Sequence, residues 1–63
     1  MKDKELFARI NKEAQKNIER ASGMIEALNM IRGTEFFLLN KRVCFERCEN
    51  GIKTFHDAYT LAE

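Results

Sequence analysis

A single break, Arg32-Gly33-Thr34, separates two proline-free amphipathic stretches of nearly equal length. Proline inside a helix removes a hydrogen bond and clashes with the preceding turn, so its absence leaves both halves free to run as long helices. Before the break, apolar or small residues recur at Phe7, Ile10, Ala14, Ile18, Ala21, Ile25, Leu28 and Ile31. Every step is three or four residues, the helical period. Asp3 suits the N-cap, and Lys4-Glu5-Leu6 the opening turn. Written as heptads, Phe7, Ala14, Ala21 and Leu28 share one core position, and Ile10, Asn17, Met24 and Ile31 the other. Ile18 and Ile25 widen the stripe, which suits a bundle better than a two-stranded coiled coil. Ala14, Ala21 and Ser22-Gly23 admit close approach of another helix. Asn17 reads either as a register-setting polar residue in the seam or as a residue at its edge.

Gly33 suits the left-handed position that ends a helix, and Thr34 the N-cap of the next, with Glu35 in its first turn. So short a joint sets the two helices antiparallel. Beyond it, Leu38, Phe45, Ile52 and Tyr59 recur every seven residues. Cys48, Phe55 and Ala62 hold the matching second position, flanked by Phe37, Cys44 and Ala58. This phase continues through Glu49-Asn50-Gly51 and predicts one helix over roughly 35–61, kinked or broken at Gly51. A competing reading takes Asn50-Gly51 as a tight turn between strands 43–48 and 52–55. A third keeps the segment helical but divides it at Gly51 into two shorter helices. The uninterrupted phase favours the single helix, in which Gly51 costs about 1 kcal/mol relative to Ala. The expected fold is all-α, one domain over 1–63 built as an antiparallel helical hairpin.

A hairpin of 63 residues has little interior, and chains this short bury only about 60% of their unfolded surface. Phe36-Phe37-Leu38-Leu39 would step round a helix by about 100° each, pointing in almost every direction. Burying each large apolar side chain is worth about 1.5–3 kcal/mol. The expected remedy is a second copy, giving a homodimeric four-helix bundle.

Composition excludes some classes of function. The 63 residues are 33% charged and 44% hydrophobic with a net charge of +1, which suits a folded chain rather than a disordered one. A dedicated polyanion binder carries a larger basic excess. No apolar run approaches the roughly 20 residues needed to cross a bilayer. Met1-Lys2-Asp3-Lys4-Glu5 leads into a charged helix rather than a signal-peptide core. A cytoplasmic location is the expectation.

Cys44, Cys48 and His56 are the only soft ligands gathered in one region. A structural zinc site needs four ligands, and the second pair is missing within one chain. The cysteines read as structural, reduced and poorly placed for a mutual disulfide. On a helix, Cys48 and His56 would stand about 12 Å apart along the axis, too far for a nucleophile and its base. There is no Gly-rich phosphate loop. No enzyme, metal or cofactor is expected.

Two association surfaces remain. Phe36, Phe37 and Tyr59 are candidate partner contacts wherever a dimer leaves them uncovered, although core is the commoner fate of such residues. Arg9, Lys12, Lys16 and Arg20 form a basic stripe opposite the apolar face, with a smaller basic group at Lys41, Arg42 and Arg47. Such a stripe could follow phosphates. Glu5, Glu13 and Glu19 lie at pairing distances along it, so a solvated, salt-bridged face accounts for the same pattern.

In length and layout the chain resembles the small RNA-binding plasmid copy-number regulators that dimerise as helical hairpins, without a shared motif. Its starting Met1, shortness, helical patterning and two cysteines also resemble the small early-region proteins of lambdoid bacteriophages. Among these are products of short reading frames between the exonuclease and excisionase genes. That resemblance implies a non-enzymatic accessory factor that modulates host physiology by binding a host protein in the host cytoplasm. A homodimeric RNA- or DNA-binding regulator using the basic stripe is the alternative.

Overall fold

The computed structural model describes residues 3–62; Met1, Lys2 and Glu63 lie outside the described residues, as does the part of the amino-terminal reading that rests on them. The chain runs α1 (Asp3–Lys16), α2 (Ile18–Arg32), β1 (Phe37–Leu39), β2 (Arg42–Glu49), β3 (Ile52–Asp57) and a short α3 (Ala58–Leu61). The three strands form one antiparallel sheet in the order β1-β2-β3. This corrects the all-α expectation, the two-helix hairpin spanning the whole chain and the four-helix bundle built from it. The second half is a sheet.

The first half is helical but folds on itself. Asn17 leaves the helical region at φ −153° and ψ 101°, and its Oδ1 accepts the Arg20 N–H at 3.2 Å as the N-cap of α2. Its own N–H still donates to the Glu13 carbonyl at 2.8 Å, so one residue closes α1 and opens α2. Asn competes well for backbone bonds and is among the preferred N-caps. The two helices lie antiparallel, with Arg32 at the end of α2 paired to Asp3 at the start of α1 at 3.0 Å. Ala14 and Ala21 are fully buried where the helices meet beside the corner. The close approach anticipated at these small residues occurs within the chain. Phe7, Ile10, Ile25 and Leu28 complete the buried stripe, whereas Ile18, just past the corner, and Ile31, both expected on it, are 45% and 84% exposed.

Gly33 ends α2 in the left-handed region at φ 66°, as its placement predicted. Thr34 does not start a helix. Its N–H returns to the Asn29 carbonyl at 3.2 Å, and its hydroxyl donates to Asn29 Oδ1 at 2.9 Å. The same carboxamide accepts the Phe36 N–H at 2.9 Å and donates to the Phe36 carbonyl at 3.0 Å. Asn29 therefore joins the end of α2 to the start of the sheet.

Both sheet connections are two-residue turns. Asn40 and Lys41 lie at φ 51° and 61°, and Asn50 and Gly51 at φ 52° and 78°. Positive φ at both central residues defines the type I′ turn, whose twist matches paired strands. The inner face of the sheet carries Leu38, Val43 and Phe45 onto the helical pair, and Val43 is fully buried. Ala58 of α3 closes the core from the other side. The buried Val43 N–H points toward β3 just where that strand gives way to α3, and Asn11 Oδ1 accepts it at 2.7 Å. A buried amide left unpaired there would cost about 1–3 kcal/mol.

Candidate interaction surface

Strand register decides what faces outward. Phe37 lies opposite Cys44, Cys44 opposite Asp57, and Glu46 opposite Phe55. Because side chains alternate along a strand, these residues share the face turned away from the helices, together with Leu39, Arg42, Cys48 and Lys53. Phe37 and Phe55 meet edge-to-face across β2, with ring centres 5.6 Å apart. Phe55 nevertheless remains 63% exposed and Leu39 46%. Beyond Phe45, every residue from 46 to 55 is exposed, so the β2–β3 hairpin projects from the core as an arm. Ile52, beside the turn, is 66% exposed. A second apolar patch lies on α2, where Met30 and Ile31 are both exposed.

The base of the arm is ordered by charge. Arg42 forms a short ion pair with Asp57, whose other oxygen accepts the Thr60 N–H at 3.1 Å and caps α3. The hydrogen bond from Arg42 holds the Asp57 carboxyl below the usual carboxylate range, with the Thr60 N–H adding to the effect. The Arg42 guanidinium is raised by the same bond. Beside them, burial pushes the Cys44 thiol up, and the Asp57 charge adds to the rise. A thiol so disposed stays protonated and is a poor nucleophile. Cys48, on the same face, is exposed, and both cysteines are free. His56 stacks on Phe45 at 5.6 Å, with Nε2 2.8 Å from the Thr54 hydroxyl, on the opposite face from both cysteines. Among the described residues, no group of three His, Cys, Asp or Glu side chains is placed to hold a metal ion.

The three aromatic candidates do not form one patch. Phe36 turns inward, packed edge-on against Phe7 at 5.1 Å and Phe45 at 6.1 Å. Phe37 turns outward beside Phe55. Tyr59 is half-buried in α3, with Lys4 Nζ 5.0 Å and the Arg42 guanidinium 5.8 Å from its ring centre. The basic candidates Arg9, Lys12, Lys16 and Arg20 are all exposed, but the corner at Asn17 puts Arg20 on a different helix from the other three. Arg20 Nε reaches Glu13 at 3.5 Å across that corner. Leu39, Ile52 and Phe55 were missed as surface candidates because a helical reading assigned Ile52 and Phe55 to a buried seam. The signal for their exposure was Asn50-Gly51, the competing turn between strands 43–48 and 52–55, which the structure adopts.

The chain matches no protein-family model, no curated protein and no solved structure. No described helix is long and apolar enough to cross a membrane.

Proposed function

We propose that this chain is a non-enzymatic regulatory or accessory protein that acts by binding another protein through the outward face of its sheet. The observation that carries this reading is the apolar surface of exposed Leu39 and Phe55 with half-buried Phe37, held on paired strands rather than on a loop. Exposed apolar groups on a preorganised backbone lose little entropy on binding, and aromatic anchors of this kind dominate protein interfaces. Arg42, Glu46 and Lys53 supply a polar rim. The resemblance to lambdoid phage early proteins adds the class of partner, a host protein in the bacterial cytoplasm. The nucleic-acid alternative has less support, since its basic residues divide between two helices and Arg20 is engaged by Glu13.

The test is capture from bacterial lysate, with and without nuclease, using the parent chain and a Phe37→Ser, Leu39→Ser variant checked for unchanged circular dichroism. A protein retained through nuclease treatment and lost with the folded variant supports the reading. Material retained only without nuclease, or equally by the variant, contradicts it.

A further inference from the structure

The sheet has two outer strands, and they differ in how their free backbone groups are treated. In β1, Phe37 and Leu39 bond to β2 beside the two-residue turn, so Phe36, just before the strand, and Leu38 turn their N–H and C=O outward. The Asn29 carboxamide takes up both groups of Phe36, which leaves a single open residue, Leu38, on that edge. In β3, Ile52 flanks its turn and pairs with Glu49, and the bonded alternation continues at Thr54 and His56. Lys53, Phe55 and Asp57 therefore turn their N–H groups away from the sheet. No described residue hydrogen-bonds the backbone of Lys53 or Phe55 on that side. An unsealed edge of this kind is a template for another strand.

The side chains along the edge specify which strand. We infer that β3 pairs antiparallel with β3 of a second copy of this chain, about a two-fold axis through Phe55, joining two three-stranded sheets into one. In that register Phe55 faces Phe55 of the second copy. Lys53 faces Asp57 of the second copy, and by symmetry Asp57 faces its Lys53. The three outward-turned residues therefore meet one another, which the hydrogen-bonding alternation requires. Aromatic and opposite-charge cross-strand pairs are the stabilising kinds, and like charges the destabilising ones. Other registers fail on charge. Centring on Lys53 sets lysine against lysine, and centring on Asp57 sets aspartate against aspartate. Centring on Thr54 or His56 places Phe55 opposite Lys53 or Asp57 and leaves the charges unmatched. Self-complementarity about one axis is the mark of an isologous dimer rather than of a foreign strand.

The dimer also brings two Phe37–Phe55 pairs side by side on one outward face. The inference goes beyond the partner-binding reading and does not rest on it, because capture and self-association are read separately. So small an interface gives a weak dimer, with Kd on the order of 10 µM to 1 mM.

Sedimentation equilibrium from about 10 µM to about 1 mM tests it, on the parent chain and on Lys53→Glu. Lys53→Glu places glutamate against Asp57 of the second copy and also breaks the pair to Glu46 on the neighbouring strand, so the variant's fold is checked by circular dichroism beside the parent. The expected result is a concentration-dependent dimer whose Kd rises at least about tenfold in the variant. A synthetic chain N-methylated at Phe55 removes the outward donor alone and is expected to be monomeric, whatever Lys53→Glu does to folding. A parent chain monomeric throughout, or a dimer unmoved by N-methylation at Phe55, overturns the inference.

Discussion

The two ends of the β2–β3 ladder are held by different forces. At the base, Val43 and Cys44 are buried and Phe45 packs on the core, with Asn11 and the Arg42–Asp57 pair tying the strands to α1 and α3. At the tip every residue from 46 to 55 is exposed. The arm keeps its shape through turn conformation and cross-strand pairs: Lys53 to Glu46 at 3.7 Å, and the Thr54 hydroxyl to the Arg47 carbonyl at 3.3 Å. Such pairs contribute about 0.2–1 kcal/mol each, against about 1.5–3 for a buried aliphatic side chain. The base therefore dominates the stability of the molecule, and the exposed tip is expected to open independently of it. The outward apolar face proposed to bind a partner runs between the two, fixed at one end and less constrained at the other.

Substitutions at the base should unfold everything together. Ile10→Ala empties a fully buried position beneath the sheet and is expected to cost about 2–5 kcal/mol, read as a lower denaturation midpoint with base and tip lost in one transition. Asn29→Ala strips the Phe36 backbone and the Thr34 hydroxyl of their partner at once. A loss of about 2–3 kcal/mol is expected, again cooperative, by the same measurement. At the tip, Gly51→Ala forces a side chain into φ 78° and should cost about 1–2 kcal/mol. Its effect should stay local: faster amide exchange from Cys48 to Lys53, with protection at Val43 and Ile10 unchanged.

The Arg42–Asp57 pair gives the base a pH dependence. Arg42 lowers the Asp57 pKa in the folded chain, so the pair contributes in full above the unfolded value of about 4 and fades as pH falls through the lower folded value. Asp57→Asn keeps the cap on α3 but removes the charge. It should cost less than about 1 kcal/mol at neutral pH and flatten acid unfolding below about pH 4. The smallest effect belongs to the other turn. Lys41→Gly relieves a left-handed side chain at φ 61° and should raise stability by about 0.5–1 kcal/mol, measured as a higher denaturation midpoint.

The helical half was largely legible because its period survived folding: Phe7, Ile10, Ala14, Ala21, Ile25 and Leu28 of the stripe that the spacing implied are buried, whereas Ile18 and Ile31, which it also included, are exposed. The corner at Asn17 was not, since one polar residue in an apolar seam looks the same whether the helix continues or ends there. In the second half the seven-residue repeat misled for a geometric reason. A two-residue turn pairs residues of opposite parity, so residues an odd number apart on adjoining strands share a sheet face. Leu38, Phe45 and Ile52 lie on one face of the sheet for that reason, as they would on one face of a helix. The phase carried no preference between the two structures, and Asn50-Gly51 was the signal that should have decided. The Asn40-Lys41 turn gave no such warning, because lysine is uncommon at positive φ. Of the aromatic candidates, Phe36 and Phe37 could be separated only once β1 was known to be a strand, where neighbouring side chains face opposite ways.

Cross-strand proton contacts in a nuclear Overhauser spectrum test the central claim most directly. Close Hα–Hα contacts are expected between Glu46 and Phe55 and between Cys48 and Lys53, the pairs that do not exchange backbone bonds. Helical contacts between residues three apart, running through 46–57 without those cross-strand contacts, would contradict it and remove both the arm and its open edge.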